Sequence, residues 1–395
     1  MQLQIRHSCA EFDSYRAARV KSLFNCESGA NFSLDVEIPI DDEAWKLGLI
    51  VGPSGSGKTS LGRKIFEDGA FYEPNDWPQS VPIIDAIAPN GSFNDVTGAL
   101  AAVGLGSVPA WLRPYDVLSN GERFRADLAR ILCEAPERVV IDEFSSVVDR
   151  QIARMGALAF GKAWKRTSGQ AVLLSCHSDI TEWLEPDWVF DTATGKFSGR
   201  GLWRRPKFHL DIEETNWELW PLFEPHHYLK LPRMVAATNY VGYVDGAPVV
   251  HVAFAPRPGL KAARASRLVV LPEWQGAGVG VRFLNAVCEG WRVGENRYEK
   301  PMTTYFHTSH PGLAAALRRD PNWSQINAKL YGDNKARCIE TLRRSEAKAQ
   351  SEGRGWGRDN SKASMGRGGF GGHFRAVQGF HYLGRDAIEQ LVASN

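Results

Sequence analysis

The 395-residue chain is predicted to form two domains, an α/β domain with a mostly parallel sheet followed by an α+β domain. Three observations predict this. Buried-strand runs alternate with helical patterns through the first half, as they do where helices cover a parallel sheet. In the second half, two β-rich runs flank Asp245-Gly246, a favoured tight-turn pair, and read as a hairpin. The length also exceeds what a single hydrophobic core commonly serves.

The elements follow in order. LGLIVG (47–52), RVVIDEF (138–144) and AVLLSCH (171–177) are strands, and GERFRADLARILCEA (121–135) is a helix. The pattern fades around WVFDTATGKFSGRG, and the basic stretch LWRRPKF (202–208) marks the boundary, giving domains at 1–203 and 208–395. The second domain opens on the Trp-rich NWELWPLFEPHHYL and continues into the hairpin ATNYVGYV/APVVHVAFA. RLVVL (267–271), TTYFHTS (303–309) and FRAVQGFHYLG (374–384) are strands, and VRFLNAVCEGW is a helix. The Gly/Arg-rich stretch 345–372 carries too few large apolar residues to order itself and is expected to be a flexible insert.

Composition narrows the function. With 43% hydrophobic and 23% charged residues the chain is globular rather than disordered. A net charge of +2 supplies no strong overall field, so a nucleic-acid partner has to be met by local basic patches. Cys9, Cys26, Cys133, Cys176, Cys288 and Cys338 form no CxxC pair, which argues against a zinc site or a disulfide framework. No stretch approaches 18 consecutive apolar residues, so a cytoplasmic protein without a membrane partner is expected.

Gly52-Pro53-Ser54-Gly55-Ser56-Gly57-Lys58-Thr59 matches the phosphate-loop pattern G-x-x-x-x-G-K-[ST] where the physics requires it, after a strand and opening a helix. Its glycines let backbone N–H groups close around phosphates at a helix N-terminus. Lys58 suits the β- and γ-phosphates, and the Thr59 hydroxyl suits Mg2+. Val139–Glu143 is a buried strand ending in two carboxylates: Asp142 can hold Mg2+ through water, and Glu143 can polarise the attacking water. LSNGE (118–122) opens a helix upstream, Ser145–Asp149 follows, and His177 stands after a further strand.

This order of motifs resembles the ABC ATPase family over roughly residues 15–200: Walker A, signature, Walker B with its glutamate, D-loop and switch histidine. The resemblance implies ATP and Mg2+ as cofactors and an ATP-dependent, head-to-tail homodimer. In that dimer Ser119 and Gly121 of one subunit contact the γ-phosphate held by the other's Gly52–Ser60. It also implies a Q-loop role for Gln79 and adenine stacking for Phe24. The chain departs from the family pattern at Asn120, Glu122 and Phe144, which stand where glycine, glutamine and proline are usual. The interval between Lys58 and Ser119 is short, and no membrane domain is visible, which implies an ATPase that is not a transporter subunit.

A second Gly-rich turn, Gln275-Gly276-Ala277-Gly278-Val279-Gly280, also joins a strand to a helix. It has no lysine and no downstream acidic residue in a βαβ unit, so neither a Walker loop nor a dinucleotide site is indicated. From the residues alone it suits either a pyrophosphate or a plain structural turn. With RLVVLPEW before it, Q-x-x-G-x-G resembles motif A of the GNAT acyltransferases, over roughly 208–395. More narrowly, FEPHHYL, TSHPGLAAALRRDPNW and GFHYLG resemble acetyltransferase domains fused to ABC-type ATPases, and phage Mom-type DNA-modifying proteins. The resemblance implies an acetyl-CoA or related CoA thioester bound by Val270, Gln275, Gly276, Gly278 and Gly280. Glu273, His227 and Tyr228 are the general acid–base candidates, with His307, His310 and Tyr305 behind them.

The arginines of the second half, among them Arg318-Arg319 and those of the Gly-rich stretch, suit phosphate contact, with Trp356 and Phe370 for base stacking. The leading expectation is an ATP-driven acyltransferase acting on nucleic acid. A nucleotide-switched clamp with a non-catalytic second half, and an ATP-regulated acetyltransferase for a protein or small molecule, are the alternatives.

Overall fold

A computed structural model describes residues 1–10, 14–24, 31–40, 44–66, 70–72, 77–199, 207–229, 233–234, 236–257, 260–329, 351 and 376–384. The chain splits into two compact units. The first holds Met1–Ser92, Ala102–Gly104 and Ala110–Lys207, and the second holds Phe93–Ala101, Leu105–Pro109 and Phe208–Asn395. The stretch expected to be a flexible insert lies, apart from residue 351, outside the described residues.

The first unit opens with an antiparallel pair, β1 (Gln2–Ser8) and β2 (Asn31–Glu37), with α1 (Tyr15–Phe24) between them in sequence. Neither strand was legible as such, because only Leu3 and Ile5 of β1 are buried and the other positions face outward. The side chain of Phe24, at the end of α1, lies outside the described part. Next in sequence come β3 (Leu47–Val51), α2 (Lys58–Ile65) and α3 (Ile83–Ala86), then α4 (Phe93–Ala102), which groups with the second unit up to Ala101, and α5 (Val108–Trp111), which divides between the two after Pro109. They are followed by α6 (Asn120–Glu134), β4 (Arg138–Ile141), α7 (Arg150–Trp164), β5 (Gln170–Ser175) and α8 (Thr181–Leu184). The stretch read as a fading pattern is in fact a hairpin, β6 (Trp188–Asp191) and β7 (Lys196–Ser198), turned by Gly195 at φ 67°.

The sheet runs β4-β5-β3-β6-β7, parallel except for β7. β3 is central and wholly buried, which is why it reads as an unbroken apolar run. Gly48 is required there: a Cβ would lie 2.1 Å from the Trp188 ring of the neighbouring strand. This topology places the loops after β3, β4 and β5 at one edge, the carboxyl end of the parallel strands, where α/β sheets bind ligands.

The second unit is a seven-stranded sheet in the order β13-β14-β12-β11-β10-β9-β8. Its elements are β8 (Asp211–Thr215), α9 (Trp220–Phe223), β9 (Thr238–Val244), β10 (Ala247–Pro256), β11 (Ala262–Val270) and α10 (Val279–Val293). Then follow β12 (Thr303–Thr308), α11 (Pro311–Arg319), β13 (Trp323–Lys329) and β14 (Val377–Tyr382). Phe283, Leu284, Val287 and Trp291 of α10 pack with Val250, Val252 and Phe254 of β10 in the main core. A second cluster joins Trp220 and Phe223 of α9 to Val241, Val269 and Leu271.

β11 begins five residues earlier than RLVVL suggested, because a bulge interrupts the pattern. Between Ser266 and Val269, Arg267 and Leu268 stand opposite the single residue Val252, and Arg267 takes φ 58°. β11 pairs with the parallel β12 only through Ala262–Ala265 against Thr303–Phe306. Past the bulge, Arg267–Val270 have no β12 partner among the described residues, so the two central strands part beyond Phe306.

Candidate functional site

The loop after β3 forces three glycines into the left-handed or otherwise side-chain-hostile region: Gly52 (φ 147°), Gly55 (φ 77°) and Gly57 (φ 88°). Gly52 is also sterically closed, since a Cβ would meet Thr192 Oγ1 at 2.0 Å. Ser56 Oγ lies 2.8 Å from Pro53 O and 2.6 Å from Thr192 Oγ1, which in turn donates to Val51 O at 3.1 Å. Thr192, just after β6, thus buttresses the loop, a role no local motif announces. Lys58 Nζ donates to Gly52 O and Pro53 O, both at 2.8 Å. That ammonium already sits over the loop where an anion's charge would be met. Ser54 and Thr59 are exposed, and Ser60 Oγ lies 2.7 Å from His7 Nε2.

β4 ends at Ile141, and the next residues are the two expected carboxylates. Asp142 Oδ1 accepts from Glu143 N at 2.8 Å. Glu143 is exposed and held at φ 48°, while Ser146 donates to its carbonyl through N (2.9 Å) and Oγ (2.8 Å). A left-handed non-glycine residue costs about 1–2 kcal/mol, a strain of the kind found where a side chain must be aimed. Thr59 and Asp142 offer oxygen only, the donor type that a hard cation such as Mg2+ takes.

The surroundings of Phe144 account for the absence of a proline at this position. Its N–H donates to Leu174 O at 2.7 Å, which proline could not do, and its ring is fully buried between Phe124 and Phe160. Phe124 comes from α6, so the acidic loop is packed against the helix that Ser119 caps. There Glu122 closes a capping box: Ser119 N donates to Glu122 Oε2 at 2.9 Å and Ser119 Oγ receives Glu122 N. Ser119 is exposed, and Gly121 is tight against Ile152, 2.9 Å from where a Cβ would stand. Asn120 is exposed on the first turn.

Asp149 caps α7 through Ile152 N at 2.9 Å. The next residue, Arg150, and Arg154 both bind Asp179, two residues after His177. Burial opposes the Asp179 charge, but the two guanidiniums outweigh it and hold the carboxyl below its usual range. This link ties the start of α7 to the segment of His177, whose backbone N–H donates to Ser175 Oγ at 3.1 Å. Gln79 is exposed in the turn that follows Trp77.

In the second unit Gly276 (φ 89°) and Gly278 (φ 79°) make the turn into α10, with Gly278 as its N-cap. Gly280 serves close packing, since a Cβ would stand 2.9 Å from Val270 Cγ2. Gln275 has both ends of its amide engaged within this unit: Nε2 donates to Val270 O and Oε1 accepts from Gly106 N, each at 2.9 Å. Gly106 O lies 3.3 Å from His310 Nε2, and His310 Nδ1 accepts from Leu313 N at 3.2 Å, which leaves the ring proton on Nε2. Gln275 and His310 therefore shape the turn through side-chain-to-backbone bonds.

Glu273 is half-buried in the short turn Pro272–Trp274, while His227 and Tyr228 follow α9 in the aromatic cluster. His227 is buried, 5.8 Å from the Trp220 ring, and His227 Nδ1 lies 2.6 Å from Leu229 O. Tyr305 stacks on His381 at 5.2 Å. Sequence reasoning passed over His251, which reads as one polar residue inside an apolar strand. It is fully buried among Trp217, Trp220 and Phe223, and its Nδ1 lies 3.2 Å from Arg267 O at the bulge. Burial pushes its pKa down to about 4, so the ring is neutral at physiological pH. A folded value below the unfolded one means that stability is present above about 6.5 and is lost as pH falls towards 4. Thermal melts of the chain should lose on the order of 3 kcal/mol across that window from this residue. In His251→Asn this contribution should vanish.

No protein-family model matches the chain. The ATP-binding subunit of a mitochondrial potassium channel from Xenopus tropicalis is 25% identical over 202 residues, 50% of this chain and 28% of that protein. The chain therefore spans little more than a quarter of that curated relative's length. A bacterial ABC transporter cassette solved as a dimer is 12% identical, covering 44% of this chain and 90% of that one, with a TM-score of 0.33. A bacterial Atm1-family ABC exporter with ATP bound is 18% identical, covering 44% and 37%, with a TM-score of 0.34. Among the described residues no helix is long and apolar enough to cross a membrane.

Proposed function

We propose that the first unit is an ABC-type ATPase working as an ATP-dependent homodimer, and that the second is a GNAT-like acyltransferase using a CoA thioester. The observation that carries the ATPase reading is the convergence at one sheet edge of the Gly52–Thr59 loop, Asp142-Glu143 and His177, following β3, β4 and β5. Lys58 and the loop amides bind and orient phosphates, Glu143 takes up a proton of the attacking water, and Ser119 completes the partner's site. Thr59 and Asp142 would hold Mg2+, which would supply neutralisation of the phosphates' negative charge.

The acyltransferase reading is supported by the parting of β11 from β12 beside the bulge at Arg267, together with the left-handed Gly276 and Gly278 leading into α10. That arrangement offers an opening between strands for a thioester and free helix N-terminal amides for a pyrophosphate. In the transfer, an acceptor amine attacks the thioester carbonyl, the C–S bond breaks, and the amine's proton passes to a base while the thiolate leaves. Glu273 is our choice of base because it is half-buried beside the Gly-rich turn, whereas His227 is packed among aromatic rings.

The acceptor we favour is a base amine of nucleic acid, supported by the exposed Arg318 and Arg319 at the end of α11. ATP-driven closure of the dimer would deform the polymer and help extrude the base, which chemistry on a stacked base requires. Mass spectrometry of nucleosides from cells expressing the wild type or Gly278→Asp tests this reading. An acylated nucleoside found only with the wild type is expected. Identical nucleosides from both would exclude nucleic acid as the acceptor.

A further inference from the structure

Asp127 lies about two turns along α6 from Ser119. Three aromatic residues donate to its carboxylate. Tyr72 Oη (3.1 Å) and Trp77 Nε1 (2.9 Å) bind Oδ1, and Tyr115 Oη (2.8 Å) binds Oδ2. Trp77 and Tyr115 stack flat, with centroids 4.6 Å apart and planes 8° from parallel. Arg130 covers Trp77 at 5.1 Å and pairs with Glu134, while Arg123 lies over Tyr115 at 5.7 Å.

The donors come from separate parts of the first unit. Tyr72 N donates to Val140 O, on the strand that leads into Asp142 and Glu143. Trp77 stands two residues before Gln79, and Tyr115 four before Ser119. We infer that Asp127 is a positioning residue of the proposed ATPase, holding the Gln79 segment and the Ser119 segment in one fixed relation to the Walker B strand. It touches no nucleotide itself, and the inference rests on reading the first unit as an ABC-type ATPase.

A packing role alone would be filled by an apolar side chain at lower cost, since a buried carboxylate has to be desolvated. Here burial raises the carboxyl to about 6, and the Tyr115, Trp77 and Tyr72 hydrogen bonds pull against that rise. What the carboxylate adds is direction: three donors converge on two oxygens, so the three segments cannot shift independently without stranding a buried donor.

Asp127→Asn and Tyr115→Phe test this in the full-length chain, because each keeps the shape of the cluster while altering a donor–acceptor pair. Steady-state ATPase assays at equal folded fraction should show kcat reduced about 10-fold in each variant, a loss of about 1.4 kcal/mol in the transition state. KM for ATP should stay within about twofold, because the Gly52–Thr59 loop is untouched. The double variant should be no slower than the slower single one, as expected for residues of one network. Lower melting temperatures with unchanged kcat, or losses that simply multiply in the double variant, would overturn the inference. Absence of ATP turnover and ATP binding in the wild-type chain would instead remove the reading beneath it.

Discussion

Glu143→Gln is expected to slow ATP turnover by about 100- to 10,000-fold, the usual contribution of a general base. ATP should still bind, and the ATP-bound dimer should persist. Gln has nearly the shape of Glu but takes up no proton. The geometry argues for a clean effect, because Glu143 is exposed. Its backbone, at φ 48°, is fixed by the two Ser146 hydrogen bonds and by Phe144 N–H on Leu174 O, none of which the substitution touches. Size-exclusion chromatography with ATP, alongside phosphate release, reads both halves of the expectation. A variant that hydrolyses ATP at the wild-type rate would take Glu143 out of the reaction.

Gly278→Asp is expected to abolish binding of a CoA thioester while leaving ATP turnover intact. Gly278 sits at φ 79° with nothing within 4 Å of where a Cβ would stand, so the new side chain meets open space. Two penalties remain. The left-handed backbone costs most L-residues about 1–2 kcal/mol, Asp somewhat less because its side chain can hydrogen-bond locally. The carboxylate also sets a negative charge at the very amides proposed to hold pyrophosphate. Gly278→Ala separates the two, since it keeps the strain without the charge and should lose less affinity. Equal affinity of wild type and Gly278→Asp for acetyl-CoA, by isothermal titration, would place the acyl carrier elsewhere or nowhere.

Sequence patterns carried the local part of the site and little of its support. The Gly52–Thr59 loop was legible because its function is encoded within eight consecutive residues, and the αL values of Gly55 and Gly57 are the ones such a loop demands. Asp142 and Glu143 were legible because a short buried strand ended on them. Asp127 gave no signal, for its partners Tyr72 and Trp77 lie some fifty residues away and an acid on an amphipathic helix normally reads as solvated. Thr192 and the Arg150–Asp179–Arg154 link were hidden in the same way, by contacts made across the fold.

Gln275 carries a signal of both kinds: a motif marks it out, but the bonds of its side chain to Gly106 N and Val270 O, made across the fold, were not legible in the sequence. The grouping of Phe93–Ala101 and Leu105–Pro109 with the second unit was likewise invisible to a linear reading, since those segments lie between the Walker loop and Ser119 in sequence. The departures at Glu122 and Phe144 became intelligible only from structure, one as half of a capping box and the other as a buried backbone donor and aromatic link.

We propose two separate phosphate-binding loops with different ligands in one chain. Equilibrium titration of the full-length protein with a non-hydrolysable ATP analogue and with acetyl-CoA tests it most directly, in the wild type, Lys58→Ala and Gly278→Asp. The wild type is expected to bind both, Lys58→Ala to lose only the ATP analogue, and Gly278→Asp to lose only acetyl-CoA. A wild type that binds ATP but no CoA thioester, or either variant losing both ligands while still folded, would contradict it.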